Sequence, residues 1–567
     1  MPMSRNILVG IIVAAAAGSL FAQPVVSDGG ILNAASYMSP KLPGGAIAQG
    51  SIFVIFGSGM GPASIAQAGF PLPNTLAGTG VKVTSGGQTL DCPLVYTLAG
   101  QVAAIMPSAT PVGTGTLTVT FNGATSVARQ VKIVESAFGT FTLNQQGSGP
   151  GVITNYESAT SQPVNTAFKA AKAGQTLIMY GTGLGKLTSG TDNTAAAAGP
   201  INQDKVELYV GSKKAVVAYA GRAPGFAGLD QVNFVVPDGI LGCAVSVAVK
   251  IGLIVGNYTS IAVSADGGPC SDPLGFTSSQ LTTLQNGGSI KTGSILLAHT
   301  EFDISLGPIS GSFKSDSGNA SFEEITAQTI NSGGSVNTGG FYSIGSCVVY
   351  SGASATSLPT DPILPKGLDA GALINVTGPK GAKTLTKAAN AIGQYSASFA
   401  TVTSIPGIPS QGDPDGYLVA GSYSFNNGAG GVDVKSFTTS MTIPTPLVWT
   451  NKAAITNVNR ANGVTVNWTG GDPAGFTQIF GTSASDTSSS AVYGSFICIE
   501  RTSAGTFTVP PVVLLALPAT PVSNDPTLTV GSLGLGSSSN PVSFTAAGLD
   551  TGVLLSTSLG FKTVSYQ

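Results

Sequence analysis

The chain holds one histidine, His299, in the stretch Leu296-Leu-Ala-His-Thr-Glu301. A Ser-His-Asp mechanism needs an imidazole as base, steadied by a carboxylate. His299 alone could be that base, and no Gly-x-Ser-x-Gly elbow or other nucleophile signature accompanies it. A histidine at the rim of a strand is the plainer reading. Zinc sites built on several histidines are excluded, and no Cys-x-x-Cys pair stands in for them. Glycoside hydrolysis needs two carboxylates at a defined separation. Glu301 with Asp303, on one strand face by the two-residue period, and Glu323-Glu324 are the close acidic pairs of the central region. Asp413-Pro-Asp-Gly416 has an acidic spacing that could suit calcium, but Ser424 stands where an EF-hand loop needs its bidentate Glu. A solvated turn fits better. The Gly-x-Gly runs at 57–61 and 181–185 look like phosphate loops, yet such loops need a helix to follow. Here Pro62 or Lys186 leads into small polar residues, so the glycines read as bends after a strand. No catalytic, cofactor-binding or metal residue is assigned.

These side chains must be positioned by an all-β fold. At 567 residues the chain is too long for one core, and about three to five domains are expected. Charged residues make up 9% of it, against roughly 25% in an average globular protein. The 77 glycines are about twice the usual share. A hydrophobic share of 42% with a net charge of −2 argues against disorder. The same charge offers no basic patch for nucleic acid and no polybasic segment for anionic lipid.

The first residues read as a secretory leader, 1–22. Arg5 supplies a positive start, Ile7 to Ala17 an apolar run, and Leu20-Phe-Ala22 a cleavage site that leaves Gln23 first. That run is about half of the roughly 20 residues that span a bilayer. The later apolar stretch from Val512 to Ala519 is hemmed by Pro510, Pro511 and Pro518. The expected location is secreted, extracellular or outer cell surface, with no transmembrane segment after cleavage.

An internal repeat fills the first half. Gly50-Ser-Ile-Phe-Val-Ile-Phe-Gly-Ser-Gly-Met-Gly61 matches Gly174-Gln-Thr-Leu-Ile-Met-Tyr-Gly-Thr-Gly-Leu-Gly185. Val81 to Gly86 then matches Val206 to Gly211, Gln101 to Pro107 matches Gln231 to Pro237, and Gly115 to Gly123 matches Ala244 to Gly252. Four matched elements in one order make a duplication. Short alternating strands with Gly, Pro and Asn turns make each copy a β-sandwich. The expected units are sandwiches at 31–138 and 139–272, a β-rich domain at 275–443, and a C-terminal sandwich at 446–567. One short helix is expected near 278–286, capped by Ser278 or Ser279 and closed by Gly287. Trp449 and Trp468 are expected to anchor cores.

Asn33-Ala-Ala-Ser-Tyr37, the Gly50 to Gly61 strand, Tyr180-Gly-Thr-Gly-Leu-Gly185 and Tyr219-Ala-Gly-Arg-Ala-Pro-Gly-Phe-Ala-Gly-Leu-Asp-Gln-Val-Asn233 resemble the tandem Ig/IPT-TIG-like module of secreted proteins of acidobacterial type. The resemblance covers about 31–272. It implies export and a pair of Ig-like sandwiches, but no defined activity and no catalytic residues. Modules of this kind often carry a cysteine pair as Gly-Cys and Cys-Ser-Asp-Pro, matching Gly242-Cys243 and Cys270-Ser-Asp-Pro273. The hairpin after Cys243 also returns the chain toward Cys270, so a Cys243–Cys270 disulfide is expected. Cys347–Cys498 is a second pairing, one that would link two expected domains. Cys92 is the odd cysteine.

The leading functional expectation is a non-enzymatic extracellular protein for adhesion, carbohydrate contact or scaffolding, with a glycan or a protein as partner and no cofactor. One alternative is an exported glycan-active hydrolase with a carboxylate site in 275–443. Another is a structural subunit of an extracellular assembly, joined through strand edges.

Overall fold

The computed structural model describes residues 23–567 apart from 196, 273–274, 307–308, 332–342, 352–363, 405–412, 487–490 and 521–530. The expected leader, 1–22, lies outside the described residues. The fold is all-β.

The first sandwich is two facing sheets. One runs Val25–Asn33, Ile52–Ser58, Gln101–Ile105, Leu94–Leu98, Ala66–Gln67. The other runs Ile47–Ala48, Arg129–Val134, Gly113–Phe121, Thr79–Ser85, Thr75–Leu76. Thr79–Ser85 shows the rule that builds both. Val81 and Val83 are buried while Lys82 and Thr84 are exposed, because successive side chains on a strand point to opposite faces. The inward residues of the two sheets, Phe53, Ile55, Val102, Val81, Val83 and Leu117 among them, form one core. The sandwich opens at Val25, ahead of the expected 31.

The duplication is also a duplication of pairing. Ile52–Ser58 pairs antiparallel with Gln101–Ile105, and its counterpart Thr176–Thr182 pairs antiparallel with Asp230–Val235. Thr79–Ser85 pairs with Gly113–Phe121, and Val206–Val210 with Gly242–Ile251. The second unit has its own core around Leu177, Met179, Leu208, Val232, Phe234 and Val247.

The rest of the chain is organised by a 14-stranded sheet. Its path runs Ser346–Ser351, Tyr493–Arg501, Phe476–Ala484, Gly531–Ser538, Thr551–Thr563, Ser289–Leu306, Ile309–Thr326, Gln394–Ser404, Gly381–Lys387, Leu373–Gly378, Gly421–Asn426, Thr438–Ile443. Pro444 and Pro446 do end a strand, but the hydrogen-bonded path contains strands from both sides of them. Thr551–Thr563 stands between Gly531–Ser538 and Ser289–Leu306, antiparallel to the first and parallel to the second. The tandem module packs onto this body: Ala248, Val255 and Tyr258 join the core of Trp468, Phe496, Leu533 and Tyr566.

The expected helix spans Ser278–Gln285. Its cap is Thr277, one residue ahead of the expected serines. The Thr277 hydroxyl accepts from the Gln280 N–H while the Gln280 side chain accepts from the Thr277 N–H, so two otherwise orphaned donors are satisfied reciprocally. Two further short helices, Ala327–Asn331 and Pro511–Leu515, were not expected. Pro511 opens the second, where its fixed φ and missing N–H suit a first turn. Val512 to Leu515 are all buried, which explains that apolar run without a membrane. No helix among the described residues is long and apolar enough to cross one.

Candidate functional site

The two-residue period puts Leu297, His299, Glu301 and Asp303 on one face of the Ser289–Leu306 strand. The antiparallel neighbour Ile309–Thr326 sets Asp316 opposite His299 and Lys314 opposite Glu301. The parallel neighbour Thr551–Thr563 sets Ser556, Ser558, Gly560 and Lys562 opposite Leu297, His299, Glu301 and Asp303. Beyond it, Ser537 faces Ser558. This sheet face floors a cleft of ≈ 580 Å³, lined further by Asp415 and Leu418 to Ala420, and by Ile443 to Trp449 with Lys452.

Asp316 is 1% exposed and lies 2.6 Å from His299 Nδ1. It also accepts from the N–H groups of Tyr417 and Leu418. Burial pushes its carboxyl up, but the hydrogen bonds from His299, Leu418 and Tyr417 outweigh that and hold it below the usual carboxylate range. An ionised carboxylate can only accept, so His299 Nδ1 carries the proton. The Asp413-Pro-Asp-Gly416 segment explains the two N–H groups. Asp413 accepts from the N–H of Asp415, and its own carbonyl accepts from Gly416. Gly416 has φ +67°, and a Cβ there would lie 2.4 Å from Asp316 Oδ2. The segment is a turn, as expected, and it aims the following backbone at Asp316.

The carboxylates weighed for glycoside hydrolysis are each engaged. Glu301 lies 3.6 Å from Lys314, and Asp303 pairs with Lys452. Buried Glu323 accepts from Ser321 and Gln394. Glu324 accepts from Ser289 and pairs with Lys366, which together hold it below its ordinary value. Trp468 sits in the core as expected, its Nε1 donating to the Thr502 carbonyl at 2.8 Å. Trp449 differs: it pairs with Trp468 across two strands, packs on the core's edge and lines the cleft. Lys452 Nζ lies 6.0 Å from its ring centroid.

The Gly-x-Gly bend of the second unit does cradle an anion, and the anion is the chain's own. Asp230 accepts from the N–H groups of Gly183 and Leu184 at 2.7 and 2.8 Å and lies 2.9 Å from Arg222 Nη1. Both side chains are buried, at 0% and 2% exposure. The first unit has Gly100 at the matching place, and there backbone carbonyls serve: Gly57 donates to Gly100 O and Met60 to Ala99 O. The Arg-Ala-Pro-Gly-Phe-Ala-Gly-Leu-Asp run is thus a structural clamp.

Cys243 and Cys270 are joined, with Cα atoms 5.3 Å apart, and Asp272 Oδ2 accepts from the Cys243 N–H. Cys347 and Cys498 are joined directly across Ser346–Ser351 and Tyr493–Arg501. The expected domain-linking bond is therefore a bond between neighbouring strands of one sheet. Cys92 is free and buried, and burial pushes its thiol far up, so it is inert. Among the described residues no three His, Cys, Asp or Glu side chains converge as a metal site.

No family model and no curated protein matches the chain. Solved structures match it at low similarity. The γ-CGTase of alkalophilic Bacillus clarkii is 10% identical over 49% of this chain and 34% of its own, with a TM-score of 0.16. This chain thus spans about a third of that enzyme. Domains 5–6 of the S-layer protein SbsC are 12% identical over 43% and 100%, with a TM-score of 0.15. The Bacteroides ovatus glucan-locus protein SGBP-B, solved with a mixed-linkage heptasaccharide, is 10% identical over 87% and 96%, with a TM-score of 0.14. Likeness at this level says nothing of ligand or activity.

Proposed function

We propose that the chain is an exported β protein that holds carbohydrate in the cleft over His299, with the Ig/IPT-TIG-like units at 31–138 and 139–272 as its rigid stalk. The observation that carries this is the make-up of the cleft. One wall offers the Trp449 indole, a surface for the apolar face of a sugar ring. The floor offers the hydroxyls of Ser537, Ser556 and Ser558. Glu301 and Asp303 on the floor are paired with Lys314 and Lys452, and Asp316 beneath it is held by hydrogen bonds from His299, Tyr417 and Leu418, so the site suits a neutral ligand rich in hydroxyls. Export is supported by the leader-like 1–22 and by two closed disulfides, which persist in oxidising compartments.

Calorimetric titration of the full chain with neutral xylo-, cello-, malto- and manno-hexaoses tests the reading. At least one is expected to bind, and W449A to weaken it about tenfold or more, the equivalent of about 1.4 kcal/mol. Binding by none, or unchanged affinity in W449A, would refute it.

A further inference from the structure

The row of side chains through His299 has an order that binding does not need. Asp316, His299 and Ser558 stand on three adjacent strands, in register and on one sheet face. Asp316 fixes the proton on Nδ1, which leaves the Nε2 lone pair for another donor. Among the described residues Nε2 meets no protein partner. His299 is 21% exposed and lines the cleft. Ser558 flanks it on the side away from Asp316, half-buried, lining the same cleft, and its hydroxyl makes no hydrogen bond among the described residues. Two residues on, Gly560 leaves the floor open: a Cβ there would meet only the Leu535 carbonyl oxygen, at 3.7 Å.

We propose that Ser558, His299 and Asp316 form a serine ester-hydrolase site, and that O-acylated carbohydrate is its substrate class. The carbohydrate reading enters only through the alcohol half of that ester. Ser558 Oγ attacks the ester carbonyl carbon while His299 Nε2 takes the hydroxyl proton. The bond from that carbon to the alcohol oxygen breaks, and the same proton passes from Nε2 to the leaving alkoxide. Water, giving a proton to Nε2, then attacks the acyl-serine. The carboxylic acid leaves and Ser558 recovers its proton. Water is the one co-reactant. Backbone N–H groups of the three strands are committed to the ladder, so the oxyanion charge falls to a cation, and Lys314 lies in the cleft two residues from Asp316 on the same face. Asp316 acts through His299 as a positioning residue.

The full chain is treated with a fluorophosphonate probe and, separately, with p-nitrophenyl acetate. One adduct is expected, mapped to Ser558 and absent from H299A. S558A removes one hydroxyl from a half-buried position, keeps the wild-type circular dichroism, and is expected to lower ester turnover by about a thousandfold. D316N is expected to lower kcat with KM unchanged, which a merely structural residue would not do. An adduct elsewhere, no adduct, or full turnover in S558A would overturn the proposal. Oligosaccharide binding without labelling overturns the hydrolase alone. Labelling at Ser558 without oligosaccharide binding overturns the carbohydrate reading and leaves the hydrolase.

Discussion

Replacing Asp230 by alanine strips a buried cation of its partner and two backbone N–H groups of their acceptor at once. Arg222 and Asp230 are out of water, and Gly183 and Leu184 both donate to Asp230. The bend they hold also joins the two units of the tandem module. Thr182 Oγ1 accepts from the Ile52 N–H and donates to Gly228 O, and Asn33 Nδ2 donates to the carbonyls of Ala137 and Thr182. Removing one partner of a buried ion pair costs about 3–5 kcal/mol, and an orphaned buried N–H about 1–3 kcal/mol. These penalties overlap, because one relaxation relieves both, so D230A is expected to cost about 4 kcal/mol. R222M leaves the two N–H donors on Asp230, and burial already pushes that carboxyl up toward its neutral form, so its cost is expected at the low end of the ion-pair range, about 3 kcal/mol. Trp449 and Trp468 both lie outside the module, so indole emission reports the wrong region. Hydrogen exchange followed by mass spectrometry across 176–185 and 230–235, at increasing urea, reads the right one. A D230A loss below about 1 kcal/mol, or R222M as damaging as D230A, would show that the clamp is not what holds the bend.

The two disulfides should differ in worth. The Cys243–Cys270 loop has a sequence separation of 27 and the Cys347–Cys498 loop one of 151, so chain entropy assigns them about 3.5 and about 5 kcal/mol. Urea midpoints of the two double-serine variants should fall in that order, and the reverse order would count against the pairing seen here. Glu207 makes a pH prediction. A hydrogen bond from Tyr209, with Lys250 and Lys214 beside it, outweighs partial burial and lowers its carboxyl from 4.5 to about 2. A depressed carboxylate stabilises the fold above its unfolded value and loses that as pH falls through its folded value. Its side chain is 32% exposed, so solvent screening reduces the contribution to about 1 kcal/mol. Wild type should exceed E207Q in urea midpoint at pH 7, with the gap closing between pH 4.5 and 2. A gap that widens on acidification would reverse the sign of the argument.

What could be read along the chain was local. Alternation in Thr79–Ser85 exposes the sandwich because each residue's face is set by its own parity. The duplicated Gly50 and Gly174 strands are visible because a bend after a strand needs glycine in both copies. Thr277 does not stand out as a cap because two serines follow it, and any of the three hydroxyls can serve until the helix start is known. Pro444 and Pro446 mark a true strand end, yet a local break says nothing about whether the sheet continues. It does, through Thr551–Thr563 lying parallel to Ser289–Leu306.

The site was legible only where parity suffices. The two-residue period tells which face His299 shares with Glu301 and Asp303, and it is silent on what stands across the ladder. Asp316 reaches His299 through an antiparallel register, and Ser558 through a parallel one. A slip of one residue in either pairing would turn the neighbour's side chain to the other face. The same blindness hid Asp230. The Gly-x-Gly run has the look of an anion cradle, and the missing helix argues against a phosphate loop. Yet two adjacent N–H groups need only an acceptor, and the pairing of Thr176–Thr182 with Asp230–Val235 delivers one from within the chain. In a protein assembled from strands, chemistry is therefore located by register, and the residues that matter most at this cleft are the ones whose neighbours are set by the ladder rather than by their place in the chain.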